Sequence, residues 1–215
     1  MNFFDVKTSF TGSRLRMVEA QLRARGVRDE RVLAAMERIP RHEFAPEPYR
    51  NQAYEDHPLP IGEGQTISQP YIVAVMLEAL ALSASDRMLE VGTGSGYLTA
   101  LLAELVAQVF SIERHGVLAD TAGHLLRRLG YRNVKVIVGD GGQGFPEAAP
   151  YDAIIVSAAA AELPPALVAQ LAEGGRMILP VGTEDSQQLQ LIRIESGQPR
   201  VTLREFCRFV PLVSE

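Results

Sequence analysis

Apolar residues fall in two patterns along the chain: short unbroken runs, and longer stretches where they recur every three or four positions. The runs at 87–91, 109–113, 134–138, 151–156 and 176–181 have the length and continuity of strands buried on both faces. Between and before them lie helical stretches. Residues 13–25 place Leu15, Val18 and Leu22 on one helical face, with Gly26 as the stop. Asp29 then caps a second helix carrying Val32, Leu33, Met36 and Ile39, which ends before Pro40. An apolar helix runs from Tyr71 to Leu82, with Pro70 near its first turn and Ser68 as its N-cap. Another spans 164–171 and is closed by Gly174 and Gly175, and the alternation of Leu189, Leu191 and Ile194, then Val201 and Leu203, predicts strands added at a sheet edge. Strands alternating with helices predict an α/β fold, a doubly wound and mostly parallel sheet, with an N-terminal helical extension. Residues 1–82 then form helices and a cleft segment packed on a core of residues 83–215, the whole making one compact unit. Residues 40–70 are rich in proline and glycine and read as an irregular segment of a length that serves a site.

The first strand leads into Gly92-Thr93-Gly94-Ser95-Gly96 and then an apolar helix, the opening of a nucleotide-binding α/β unit. A dinucleotide fingerprint needs its third glycine at position 97, where this chain has Tyr97. Glu90 at the strand end disfavours an anionic pyrophosphate and favours a ligand carrying an ammonium or sulfonium. S-adenosylmethionine carries both and no phosphate. The second strand ends in Glu113, an acceptor for two ribose hydroxyls, and the third leads to Asp140 and Gly141, where Asp140 is placed to meet an adenine amino group. A solvated turn is the plainer reading for any one of these acids, but three at successive strand ends are harder to dismiss.

Composition removes other chemistries. With 21 basic and 26 acidic residues the net charge is −5, which gives no general attraction to nucleic acid or anionic membrane. The four histidines have no metal-ligand spacing and the lone Cys207 rules out a zinc cluster or an internal disulfide. The N-terminal residues lack a secretory pattern and no apolar run reaches the roughly 18 residues of a membrane span, so a cytoplasmic location is expected. There is no Walker lysine and no G-x-S-x-G nucleophile. Methyl transfer to a carboxylate needs neither strong base nor metal, because a group with a reference pKa of about 4 is already ionised at neutral pH.

Along nearly its whole length the chain resembles the protein-L-isoaspartate O-methyltransferases, a family of class I S-adenosylmethionine-dependent enzymes with a Rossmann-like core. The likeness is carried by residues 17–19, Gln21, Leu22 and Gly26, by 59–62 and 65–71, by 89–97, by 111–114, by Gly139-Asp140-Gly141, by 151–154 and by Arg208-Phe209-Val210-Pro211-Leu212. The segments 65–70 and 208–212 are particular to this family. The resemblance implies methylation of the α-carboxylate of L-isoaspartyl residues in damaged proteins and peptides, followed by succinimide closure and repair. It implies a catalytic or substrate-orienting hydroxyl at Ser68 and a cleft lined by Gln65, Thr66, Ile67 and Val210. Gly142, Phe145, Ala161 and Leu98 depart from the family's usual residues and are expected to alter cleft walls rather than donor binding. Methylation of another carboxylate and a silent cofactor-binding module are the alternatives.

Overall fold

The computed structural model describes residues 3–213, with side chains from Phe10 onward. Its centre is a sheet of seven strands: β3 (Arg87–Val91), β4 (Gln108–Glu113), β5 (Val134–Val138), β6 (Tyr151–Val156), β7 (Leu171–Gly182), β8 (Gln187–Glu195) and β9 (Gln198–Cys207), in the order β5-β4-β3-β6-β7-β8-β9. The first five of these run parallel and the last two antiparallel. The chain winds outward from β3 through β4 to β5, then crosses back to lay β6 against the other side of β3. That reversal leaves a crevice beyond the carboxyl ends of β3 and β6. Side chains alternate between two cores. Met88, Val109, Ala153, Ile155 and Ile178 pack beneath the N-terminal helices. Leu89, Val91, Ile154, Val156 and Met177 fill the opposite face.

The N-terminal layer begins with α1 (Phe3–Met17), continues through a π-helical turn at Val18–Leu22 and a 3₁₀ turn at Arg23–Arg25, and ends at Gly26. This helix starts earlier than residue 13. Val18 and Leu22 are buried as expected, but Leu15 is 47% exposed. The π turn carries Val18 and Leu22 on its buried side, whereas Leu15 lies in the α-helical stretch before it and faces outward. Helix α2 (Glu30–Arg38) has the expected cap, the Asp29 carboxylate accepting the N–H groups of Arg31 at 2.9 Å and Val32 at 3.3 Å.

Three local expectations need correction. Residues 40–70 are not wholly irregular, since two 3₁₀ segments and a small antiparallel hairpin, β1 (Leu59–Gly62) and β2 (Gln65–Ile67), lie within them. Ser68 does not cap α3 (Pro70–Leu80): the N-cap is Gln69, which makes no side-chain cap bond, and the N–H of Tyr71 in the first turn donates instead to Asp56 Oδ1 at 3.4 Å. Helix α6 (Pro165–Val168) is a single turn, and Gly174 and Gly175 lie inside β7, at a register slip against β6. A Cβ at Gly175 would stand 2.7 Å from the Ala172 carbonyl oxygen, so close backbone approach, not helix closure, accounts for that glycine.

Helices α4 (Tyr97–Leu105) and α5 (Gly116–Arg128) follow β3 and β4 and complete the doubly wound layers. No helix among the described residues is long and apolar enough to cross a membrane. Asp29→Ala removes two charge-assisted acceptor contacts and is expected to lower stability by about 1 kcal/mol. Urea unfolding checks this as a lower midpoint at unchanged slope.

Candidate functional site

The crevice at the carboxyl edge holds a cavity of about 840 Å³, within the size range of small-molecule sites. Its walls come from three directions. The β1–β2 hairpin and the residues after it contribute Glu63, Gln65, Thr66 and Ser68; the strand ends contribute Gly92, Gly94, Glu113 and Gly141; the chain after β9 contributes Arg208, Val210 and Leu212. A smaller hollow adjoins it, shared by Ile67, Ser68, Thr93, Ser95, Tyr97 and Leu98.

The glycine turn is shaped by backbone geometry. Gly92, Gly94 and Gly96 have φ of +94°, +52° and +85°, and the N–H groups of Gly92 and Thr93 both donate to the Ile112 carbonyl at 2.8 and 3.3 Å, bending the loop over β4. The next N–H, from Gly94, donates to Glu113 Oε2 at 2.8 Å, while His115 N–H donates to Glu113 Oε1 at 2.9 Å. Glu113 is thereby fixed at the cavity wall although only 5% exposed. The hairpin rests on the same loop, for a Cβ at Gly94 would lie 3.3 Å from Ile61 Cδ1. Its tip reaches across to α5, with Glu63 Oε2 3.7 Å from His115 Nδ1.

Of the three strand-end acids, Glu113 alone lines the cavity. Asp140 turns into its own loop, accepting the Gly142 N–H at 2.8 Å. Glu90 corrects the expectation most sharply. It is fully buried beneath the glycine turn, where Oε2 accepts the hydroxyls of Thr99 and Ser111, each at 2.6 Å, and Ser111 in turn meets Thr93 Oγ1 at 2.5 Å. It points this way because it shares a strand face with Met88, under α4, and not with the crevice. Burial pushes its carboxyl up to about 8, against the opposing pull of the Ser111 and Thr99 bonds. Glu90 Oε1 has no partner.

Gly96 closes the turn against α5, where a Cβ would meet Ala122 Cβ at 3.2 Å. Of the four departures from the family's usual residues, Leu98 reaches the hollow, whereas Phe145 packs 6.0 Å from the Phe110 ring and, like Gly142 and Ala161, stays off the cavity wall. Sequence reasoning missed the roles of Ile61, His115 and Ser157. Ser157 directly follows β6 at the point where the strand order reverses, a position that itself signals the crevice. Cys207, half-buried on the cavity wall, has its thiol pushed up to about 11, first by burial and then by Glu205. Among the described residues no group of three or more His, Cys, Asp or Glu side chains is placed to hold a metal ion.

A doubly wound sheet, a three-glycine turn at its switch point and an acid closing the next strand define a nucleoside-binding α/β protein of the methyltransferase class. The chain belongs to the protein-L-isoaspartate(D-aspartate) O-methyltransferase family, whose sequence profile matches residues 13–215. It is 56% identical over 206 residues to a protein-L-isoaspartate O-methyltransferase of Koribacter versatilis, covering 96% of this chain and 93% of that one. Identity is also 56% over 200 residues to one from Methanoculleus marisnigri, covering 93% and 90%. A crystal structure of the Plasmodium falciparum relative in complex with S-adenosyl-L-homocysteine superposes with a TM-score of 0.82 at 30% identity, covering 93% of this chain and 98% of that chain.

The pH dependence of stability follows from Glu90. A carboxyl raised from 4.5 to about 8 on folding contributes stability that is present below 4.5 and is lost as pH rises through 8. Glu90→Gln removes that loss. Melting temperatures of variant and parent should nearly coincide at pH 5 and separate by several degrees in the variant's favour at pH 9, at roughly 2–4 °C per kcal/mol. Parallel melting curves across this range would contradict the assignment.

Proposed function

We propose that the protein transfers a methyl group from S-adenosylmethionine to the α-carboxylate of L-isoaspartyl residues in damaged proteins and peptides. The observation that carries this reading is the shared cavity, with Glu113 and the glycine turn on one wall and Ser68, relieved of any capping duty, on the other. The residues present fit the donor. Glu113 is a strand-end carboxylate held by two backbone N–H groups and suits a pair of ribose hydroxyls. Gly92 and Gly94 line the cavity with no side chain to hold a ligand away from the turn. In this reading Gly92, Thr93, Gly94, Ser95, Gly96, Glu113 and Gly141 hold the donor, Asp140 shapes the adenine end through its loop, and Glu90 supports the turn from below.

Bound S-adenosylmethionine supplies a methyl group on a positively charged sulfur. The acceptor carboxylate is ionised at neutral pH, so no protein group has to remove a proton. Ser68 donates a hydrogen bond that aims one acceptor oxygen at the methyl, while Gln65, Thr66, Ile67 and Val210 surround the acceptor and exclude water. Cytoplasmic residence belongs to the same proposal and is in keeping with the single free cysteine.

Labelled methyl transfer to an isoaspartyl peptide, set beside its aspartyl isomer, tests the activity directly. Equal labelling of the two peptides, or none of either, would refute it. Glu113→Ala is expected to weaken S-adenosylmethionine binding by tenfold or more, since hydrogen bonds to a charged group contribute about 1.5–3 kcal/mol; calorimetry reads this. Ser68→Ala should lower kcat/KM for the isoaspartyl peptide by about 10- to 1000-fold. Its stability should stay within about 0.5 kcal/mol of the parent, as no cap is lost.

A further inference from the structure

Arg41, the residue after Pro40 at the end of α2, is wholly buried, yet no carboxylate among the described residues pairs with it. Its Nε–H donates to the Ala53 carbonyl at 2.7 Å, and both terminal nitrogens lack an acceptor. The guanidinium carbon lies 5.0 Å from the centre of the Tyr97 ring, whose own buried hydroxyl is also without a partner. Phe44 completes the packing, edge-on to Tyr97 at 5.6 Å. A guanidinium stays charged at any working pH, so its burial with no counter-ion in contact is costly, and the Tyr97 ring face and the more distant Asp56 carboxylate offset only part of that cost. A methionine of similar reach would fill this space at less expense. Stability alone does not explain an arginine here.

What the cation joins is informative. Ala53 lies in the segment that feeds the β1–β2 hairpin and Ser68. Tyr97 opens α4 immediately after Gly96, and it lines the hollow that Ser68 also lines. One guanidinium thus grips the acceptor side through its Nε–H and meets the donor side by lying over the Tyr97 ring. We propose that Arg41 is a positioning residue for methyl transfer, holding the Ser68 segment in register with the glycine turn. The proposal rests on the methyltransferase reading above.

The test uses the full chain, comparing the parent with Arg41→Met, Arg41→Lys, Tyr97→Leu and the Arg41→Met/Tyr97→Leu double variant, all at a temperature well below unfolding. Activity of the parent on the isoaspartyl peptide is measured first, since its absence refutes the methyltransferase reading itself. With an active parent, Arg41→Met should melt at the same temperature or higher while kcat falls about tenfold or more, the scale of a misaligned reaction. Donor affinity, measured without peptide, should stay within about threefold, because alignment and not donor binding is lost. Arg41→Lys, which keeps a cation over the ring, should recover part of kcat, and the double variant should be no slower than the worse single one. Full kcat in folded Arg41→Met, a kcat loss matched by a lower melting temperature, or losses that multiply in the double variant would each overturn the proposal. Should Arg41→Met not fold, Arg41→Lys and Tyr97→Leu with their own double variant decide by the same criterion of shared against multiplied losses.

Discussion

The glycine turn stands on a carboxyl group that water does not reach. Glu90 gathers hydroxyls from α4 and β4 onto one oxygen, and through Ser111 it engages Thr93 in the turn itself. Strand, neighbouring strand, loop and following helix therefore share one polar knot in an otherwise apolar interior. Such a network is favourable only when its members stay in place, because each hydroxyl that left would expose a buried acceptor. The rigidity of the loop above it follows from this. Gly94 can then offer its N–H to Glu113, and Glu113 can present a fixed edge to the crevice.

The rest of the fold supplies walls around that edge. The central parallel strands β3 and β6, buried on both faces, leave their loops as the places where polar chemistry reaches solvent, and the reversal between them opens the gap between those loops. The N-terminal layer adds what the sheet lacks. It buries one face of the core through Val18, Leu22, Leu33 and Met36, and it sends out the hairpin that sits on Gly94. The wall formed by the strand-end loops and the wall that carries Ser68 come from parts of the chain far apart in sequence. Their mutual placement depends on contacts between layers more than on either layer alone.

Much of this was legible from the residues. The central strands announced themselves as apolar runs because both faces of each are covered, and Asp29 was readable because a cap depends on local geometry alone. The cavity residues Gln65, Thr66, Ser68, Gly92, Gly94, Glu113 and Val210 were likewise reachable through motif and resemblance. What escaped depended on direction or on distant partners. An acid at the end of β3 does not say which face it takes, and the parity with Met88 that turns Glu90 under α4 emerges only once α4 is packed there. Ser68 reads as a cap because Pro70 follows closely, but the helix starts one residue later and its first-turn N–H at Tyr71 finds Asp56, a partner distant in sequence. Gly174 and Gly175 resemble a helix stop, yet Gly174 answers to a φ of +74° and Gly175 to the close approach of Ala172 within β7 itself. The hairpin, with strands of four and three residues, is too short for any periodicity to register.

The thiol of Cys207 bears on chemical selectivity. A sulfonium methyl is an alkylating agent, and a thiolate is a far better nucleophile than a carboxylate. Burial, and then Glu205, push its thiol up to about 11, which favours the neutral thiol at neutral pH. The sulfur on the cavity wall is therefore masked by its own proton. An enzyme that delivers methyl groups is spared from becoming its own first product.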